Sequence, residues 1–173
     1  MSLSLVLVPY SNLQIPNSKF LVSVLVLKKK LISNSELFHL CGMRIFKIAA
    51  FLLALAVVFG AFGAHALKVR LTPESLAVWK TAVEYHFYHA LGLMALAIAF
   101  RMNFFNEKSF KWISGLMLGG LGFFSGSLYL LSTRDIHGLP VGFLGPITPI
   151  GGVLFIAAWI MAALKANVHS VGK

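Results

Sequence analysis

Only five of the 173 residues are acidic, and only one is a cysteine. The lone Cys41 excludes an intrachain disulfide and any thiol-pair metal motif. No paired carboxylates, HExxH stretch or serine–histidine–acid arrangement is apparent, so hydrolytic chemistry has no support. A phosphate-binding glycine loop is also missing, because Gly151-Gly152 follow no strand and precede no Lys-Ser or Lys-Thr pair. Charged residues amount to 12%, with a net charge of +10. That charge does not point to nucleic acid, since the basic residues lie between apolar stretches and form no stripe interleaved with aromatics.

Apolar residues make up 58% of the chain, and most are gathered into long runs. Four stretches, Ile48–Leu67, Ala82–Phe100, Trp112–Leu131 and Ile147–Leu164, each approach the ~20 residues a helix needs to cross ~30 Å of hydrocarbon. In lipid every backbone N–H and C=O must be paired within the protein, so these stretches predict spanning helices. The expected fold is all-α, an integral membrane four-helix transmembrane bundle with the lipid bilayer as its first partner. Arg44, Lys47, Arg101, Lys108, Lys111, Lys165 and Lys173 fall on one side, against Lys68, Arg70, Lys80 and Arg134 on the other. By the positive-inside rule both termini face the cytoplasm, in a multi-pass protein of the cell inner (cytoplasmic) membrane.

Residues 1–42 differ in character from the rest of the chain. Leu3–Val8 and Phe20–Leu27 are apolar runs too short to span, interrupted by Pro9 and Pro16 and closed by Lys28-Lys29-Lys30. Met43 then opens a short basic stretch directly ahead of the first long run. The expectation is an N-terminal extension, poorly ordered or an upstream mis-start, before a transmembrane domain at residues 43–173. An interfacial anchor drawn down by the Lys triplet is the rival reading. Arg44–Ala66 also imitates a cleavable signal, ending in Ala64-His65-Ala66. Its apolar run exceeds the usual 7–15 residues, which favours a retained helix.

Small residues recur at helical spacing. Ala49, Leu53, Ala56, Gly60 and Gly63 share one face of the first span. Gly115, Gly119, Gly122 and Gly126 share one face of the third, with Ser125 and Ser127 nearby. Such faces let helices approach closely, and packing drives association in lipid. Gly151 and Gly152 predict the same for the fourth span. Thr72-Pro73-Glu74 is a helix start, with a capping hydroxyl, a proline at the first position and an acid at the positive helix end. Thr148-Pro149 repeats the pattern. Trp79 is expected at head-group depth.

Ionisable groups inside a membrane default to functional hypotheses. His65 ends the first span, and Glu84, Tyr85, His86 and His89 begin the second, so they meet at one end of the bundle. Three imidazoles could converge there on a metal or haem, with Glu84 or Tyr85 in support. The plainer reading is a hydrogen-bonded clamp between two helices, and Glu84 is most simply a partner for Lys80 one turn earlier. Asp135 beside Arg134 reads as a solvated pair, while His137 and His169 carry no specific signal.

An ordered series of blocks is distinctive. It comprises Gly60-Ala61-Phe62-Gly63-Ala64-His65-Ala66-Leu67, Trp79-Lys80-Thr81-Ala82, and Tyr85-His86 with His89-Ala90-Leu91-Gly92-Leu93. Phe124-Ser125-Gly126-Ser127-Leu128-Tyr129-Leu130 and Gly145-Pro146-Ile147-Thr148-Pro149-Ile150-Gly151-Gly152 complete it. From Met43 to about Leu164 the chain resembles the small membrane proteins of the domain-of-unknown-function 423 family. The resemblance implies a small multi-helix protein of the bacterial cytoplasmic membrane, or an organellar membrane in animals, and implies no activity.

The functional expectation is a non-enzymatic membrane protein acting by helix–helix association, as a homo-oligomer or with a larger membrane protein partner. The alternatives are a metal or haem site on His65, His86 and His89, and a small transporter subunit using Glu84. The sequence calls for no cofactor.

Overall fold

The computed structural model describes residues 18–166. The chain divides into two units between Leu37 and Phe38. The first holds the start of helix α1, Ser18–Phe62. Residues 1–17 of the expected extension lie outside the described residues.

Among the described residues of the second unit, four helices are long and apolar enough to cross a membrane: Leu40–Leu67, Pro73–Arg101, Glu107–Ser132 and Gly142–Lys165. Each outruns the apolar stretch that predicts it, because capping and charged residues keep the backbone paired beyond the hydrocarbon. The first span is α1 from Leu40 plus a π turn, Gly63–Leu67. The second is α2, Pro73–Arg101, with Pro73 in its first turn and Thr72 as its cap. The Thr72 hydroxyl accepts from the Ser75 amide at 3.2 Å. The third joins α3, Glu107–Gly120, through a π turn at Leu121–Gly126 to α4, Ser127–Ser132. Asn106 caps α3 by accepting from the Ser109 amide at 2.8 Å.

A short helix α5, Arg134–His137, ends at Gly138 in the left-handed region, and a 3-10 turn at Gly142–Leu144 leads into α6, Ile147–Lys165. The cap expected at Thr148 is not formed, since α6 begins one residue earlier with no side-chain cap. The Thr148 hydroxyl is committed elsewhere, 2.7 Å from the Ser127 hydroxyl of α4. It also lies 3.4 Å from the Leu144 carbonyl one turn earlier.

The apolar core gathers at the Arg101–Glu107 end. There Phe100 and Phe110 stack at 4.0 Å and 4°, over buried Leu93, Ile113, Met117 and Ala158. Facing outward along α6, Ile150, Val153, Ile156, Ile160 and Leu164 form an exposed apolar stripe at spacings of three and four. A stripe of that kind is costly in water and ordinary in oil.

Glycines set the closest contacts. A β-carbon on Gly151 would fall 2.8 Å from the Phe124 Cα, so α6 and the π turn pack backbone to backbone. One on Gly120 would stand 2.5 Å from the Phe155 ring. The predicted seam along α3 is only partly used. Gly119 meets Leu154, whereas nothing lies within 4 Å of a β-carbon at Gly115 or Gly122, and Gly126 meets only the Leu121 carbonyl oxygen of its own turn.

Candidate functional site

At the opposite end from the core, aromatic rings hold three spans together. Trp79 of α2 donates its indole N–H to the Phe59 carbonyl of α1 at 3.0 Å, and its ring lies 4.7 Å from Tyr129 of α4. Phe59 meets the Tyr129 ring at 4.8 Å. Beneath them, the Tyr129 hydroxyl is 3.2 Å from His86 Nδ1. Seven residues at ~1.5 Å each put His86 roughly 10 Å below Trp79 along α2.

This cluster closes one end of a half-open groove of ≈ 310 Å³ between the first and third spans. Leu52 and Phe59 form one wall, Gly122 and Gly126 the floor, and His86, Ser125 and Tyr129 the polar end. No Asp, Glu, Lys or Arg lines it. His86 is 5% exposed and Ser125 2%, yet His86 Nε2 and Ser125 Oγ have no hydrogen-bond partner within the protein. Leaving a buried polar group unpaired costs about 1–3 kcal/mol, so two in one groove mark it out.

Ser125 differs from the other hydroxyl residues of its span. Along the third span Ser114 bonds back to the Phe110 carbonyl, Ser127 to Phe123 and Thr133 to Tyr129, each four residues earlier. Ser125 lies inside the Leu121–Gly126 turn, where backbone bonding shifts from four residues to five, and its hydroxyl has no such bond. The Tyr129 hydroxyl has His86 Nδ1 as its hydrogen-bond partner.

The five polar residues expected to meet are divided. His86 and His89 are neighbours on α2, but α2 lies between other spans and each ring meets a different one. His89 stacks on Phe155 of α6 at 3.5 Å and 16°, with its Nδ1–H donating to the Tyr85 carbonyl at 2.8 Å. Tyr85 and Glu84 are exposed, Glu84 because two helical steps turn it some 200° away from His86. His65 is exposed on the first π turn. The convergence of three imidazoles is not formed, and among the described residues no group of three or more His, Cys, Asp or Glu could hold a metal.

Glu84 does not pair with Lys80. The two instead share a shallow recess of ≈ 240 Å³ with Gly60, Gly63 and Trp79. Arg134 and Asp135 do pair, at 3.6 Å and exposed. His137 is taken up in its loop, accepting from the Leu139 amide at 3.0 Å, and His169 lies outside the described residues. Phe59 and Tyr129 were not among the expected site residues. The signal available was the spacing of Gly122, Ser125, Gly126 and Tyr129, which places all four on one helix face.

Comparison with known proteins agrees with this architecture. The family model described as "Protein of unknown function (DUF423)" matches residues 59–152, which hold the aromatic cluster and every groove residue except Leu52. The chain is 43% identical over 123 residues to a UPF0382 membrane protein of Staphylococcus saprophyticus, covering 70% of this chain and 96% of that one. It is 44% identical over 126 residues to the UPF0382 membrane protein YwdK of Bacillus subtilis, covering 72% and 97%. No solved structure matches it. Four spanning helices, the matched family model and these relatives lead to one statement: the chain belongs to the DUF423 family of membrane proteins.

Proposed function

We propose that this is a non-enzymatic protein of the cytoplasmic membrane that acts by binding a membrane-resident partner in the groove between its first and third spans. The observation that carries this reading is the groove itself: an apolar trough with an unfilled glycine floor, whose lining includes His86 and Ser125, each with a buried polar atom that has no partner in the protein. Concave, mostly apolar sites with a few convergent polar groups are the usual form of binding sites. Catalysis has less to support it, because the one carboxylate of the second span's apolar stretch faces away from the groove.

Native mass spectrometry of protein extracted from its own membrane in mild detergent tests the proposal. A stoichiometric bound molecule is expected, lost when Gly122→Leu fills the floor and kept in Gly115→Leu, which lies off the groove. An identical spectrum for wild type and Gly122→Leu would overturn it.

Self-association is a second reading, favoured by the open surface at Gly115. Disulfide capture between Gly115→Cys copies in a Cys41→Ser background would support it, and uniformly monomeric protein in bilayers would exclude it.

A further inference from the structure

We infer that a cleft at the Arg101 end of the bundle binds one anionic phospholipid, its phosphate on Arg101 and an acyl chain running inward between the first and second spans. The cleft measures ≈ 310 Å³ and is lined by Met43 and Phe46 of α1 and by Ile98, Arg101 and Met102 at the end of α2. It is separate from the groove that carries the proposed function, since no residue lines both.

The polarity of the cleft runs in the direction a lipid needs. The first span begins at Leu40 and α2 ends at Arg101, so Met43 and Arg101 lie at the same membrane surface. Phe46 and Ile98 lie three residues further in, about 4.5 Å deeper at ~1.5 Å per residue. A head group at Arg101 therefore leads directly onto an apolar wall. Ile98 is 47% exposed and Met102 63%, surface that an acyl chain can cover.

The charge is in place and uncommitted. A β-carbon on Gly42 would stand 3.2 Å from Arg101 Cγ, so α1 passes against the stem of the arginine. The residue as a whole stays exposed, which leaves its charged head at the surface. Among the described residues Arg101 takes part in no ion pair, and Glu107, just past the turn, is held by Lys111 at 2.6 Å. A guanidinium offers paired N–H donors that match two phosphate oxygens. Arg44, Lys47 and Lys108 are exposed at the same end, and the ammonium of a zwitterionic head group would sit among them. That repulsion selects a lipid of net negative charge.

Native mass spectrometry of the full chain, delipidated in mild detergent, tests this by titration with a phosphatidylglycerol and a phosphatidylcholine of the same acyl chains. One phosphatidylglycerol per chain is expected to saturate, at a lower concentration than phosphatidylcholine. Arg101→Gln should weaken it by about fivefold, the ratio equivalent to the ~1 kcal/mol a basic residue gains at an anionic surface. Lys165→Gln, at the same end but outside the cleft, should leave it unchanged. Ile98→Trp fills the apolar wall, retains every charge and should abolish the single adduct. Circular dichroism checks that the variants remain helical, and if Ile98→Trp does not, the comparison of Arg101→Gln with Lys165→Gln still decides.

Equal binding of the two lipids, equal loss in Arg101→Gln and Lys165→Gln, or an adduct that survives in folded Ile98→Trp overturns the inference. So does a wild type that takes up no lipid while Ile98→Trp alters its oligomeric mass, which would put a second copy in the cleft. None of these outcomes touches the groove, whose own test is Gly122→Leu.

Discussion

A β-carbon on Gly63 would stand 2.5 Å from the Trp79 indole nitrogen, so these two residues fit together only while position 63 is bare. The indole is held there by its bond to the Phe59 carbonyl and by the Tyr129 ring. The lid of the groove thus depends on one missing methyl group. Gly63→Ala should cost about 1–3 kcal/mol, the usual range for overpacking. Gly122→Ala, with nothing within 4 Å, should leave stability unchanged. Thermal unfolding in a single detergent, with Trp fluorescence reporting the indole, compares the two; equal melting temperatures would refute the prediction.

Gly151 and Gly152 are adjacent and should behave differently. A side chain at 151 meets the backbone of Phe123 and Phe124, which cannot rotate away, whereas one at 152 meets the Phe124 ring at an ordinary 3.8 Å. Gly151→Ala is expected to destabilise by roughly 2 kcal/mol or more, and Gly152→Ala by well under ~1 kcal/mol. Denaturant titration in mixed micelles measures both.

Two serines of the third span offer a sharper comparison. Ser127 bridges to Thr148 at 2.7 Å, and its replacement by Ala should cost roughly 0.6 kcal/mol, a typical interhelical bond in membranes. Ser125 has no partner in the protein, so Ser125→Ala in ligand-free micelles should be neutral or slightly stabilising. A Ser125→Ala loss larger than that of Ser127→Ala would show that the Ser125 hydroxyl has a partner after all.

The cap at Thr72 is local. Thr72→Ala should cost about 1 kcal/mol, seen as faster hydrogen exchange at the Ser75 amide and little change at Leu93 in the core. Uniform acceleration through α2 would show that the cap does more than close its first turn.

Topology can be read with single cysteines in a Cys41→Ser background. Val69 is 82% exposed in the loop after the first span, and Met102 is 63% exposed after the second. With both termini cytoplasmic, an impermeant maleimide added to intact cells should label Val69→Cys and spare Met102→Cys. The reverse pattern would invert the orientation.

Much of the molecule is written in one dimension. Length and apolarity alone determine four spans, because the bilayer forces each crossing segment to satisfy its own backbone. The Thr72-Pro73 start is equally local: its hydroxyl and its fixed φ act on the next turn and on nothing else. Tertiary structure decided the rest. Thr148 has the same local pattern but gives its hydroxyl to Ser127, because the fourth span brings the two within reach. His86 and His89 share a helix face, yet their neighbours draw them to α4 and α6, leaving His65 outside with exposed Glu84. Which glycine is filled and which is open, Gly151 or Gly122, depends on where another helix passes. No periodicity records that, since spacing fixes a residue's direction from its own axis and packing alone fixes what it meets.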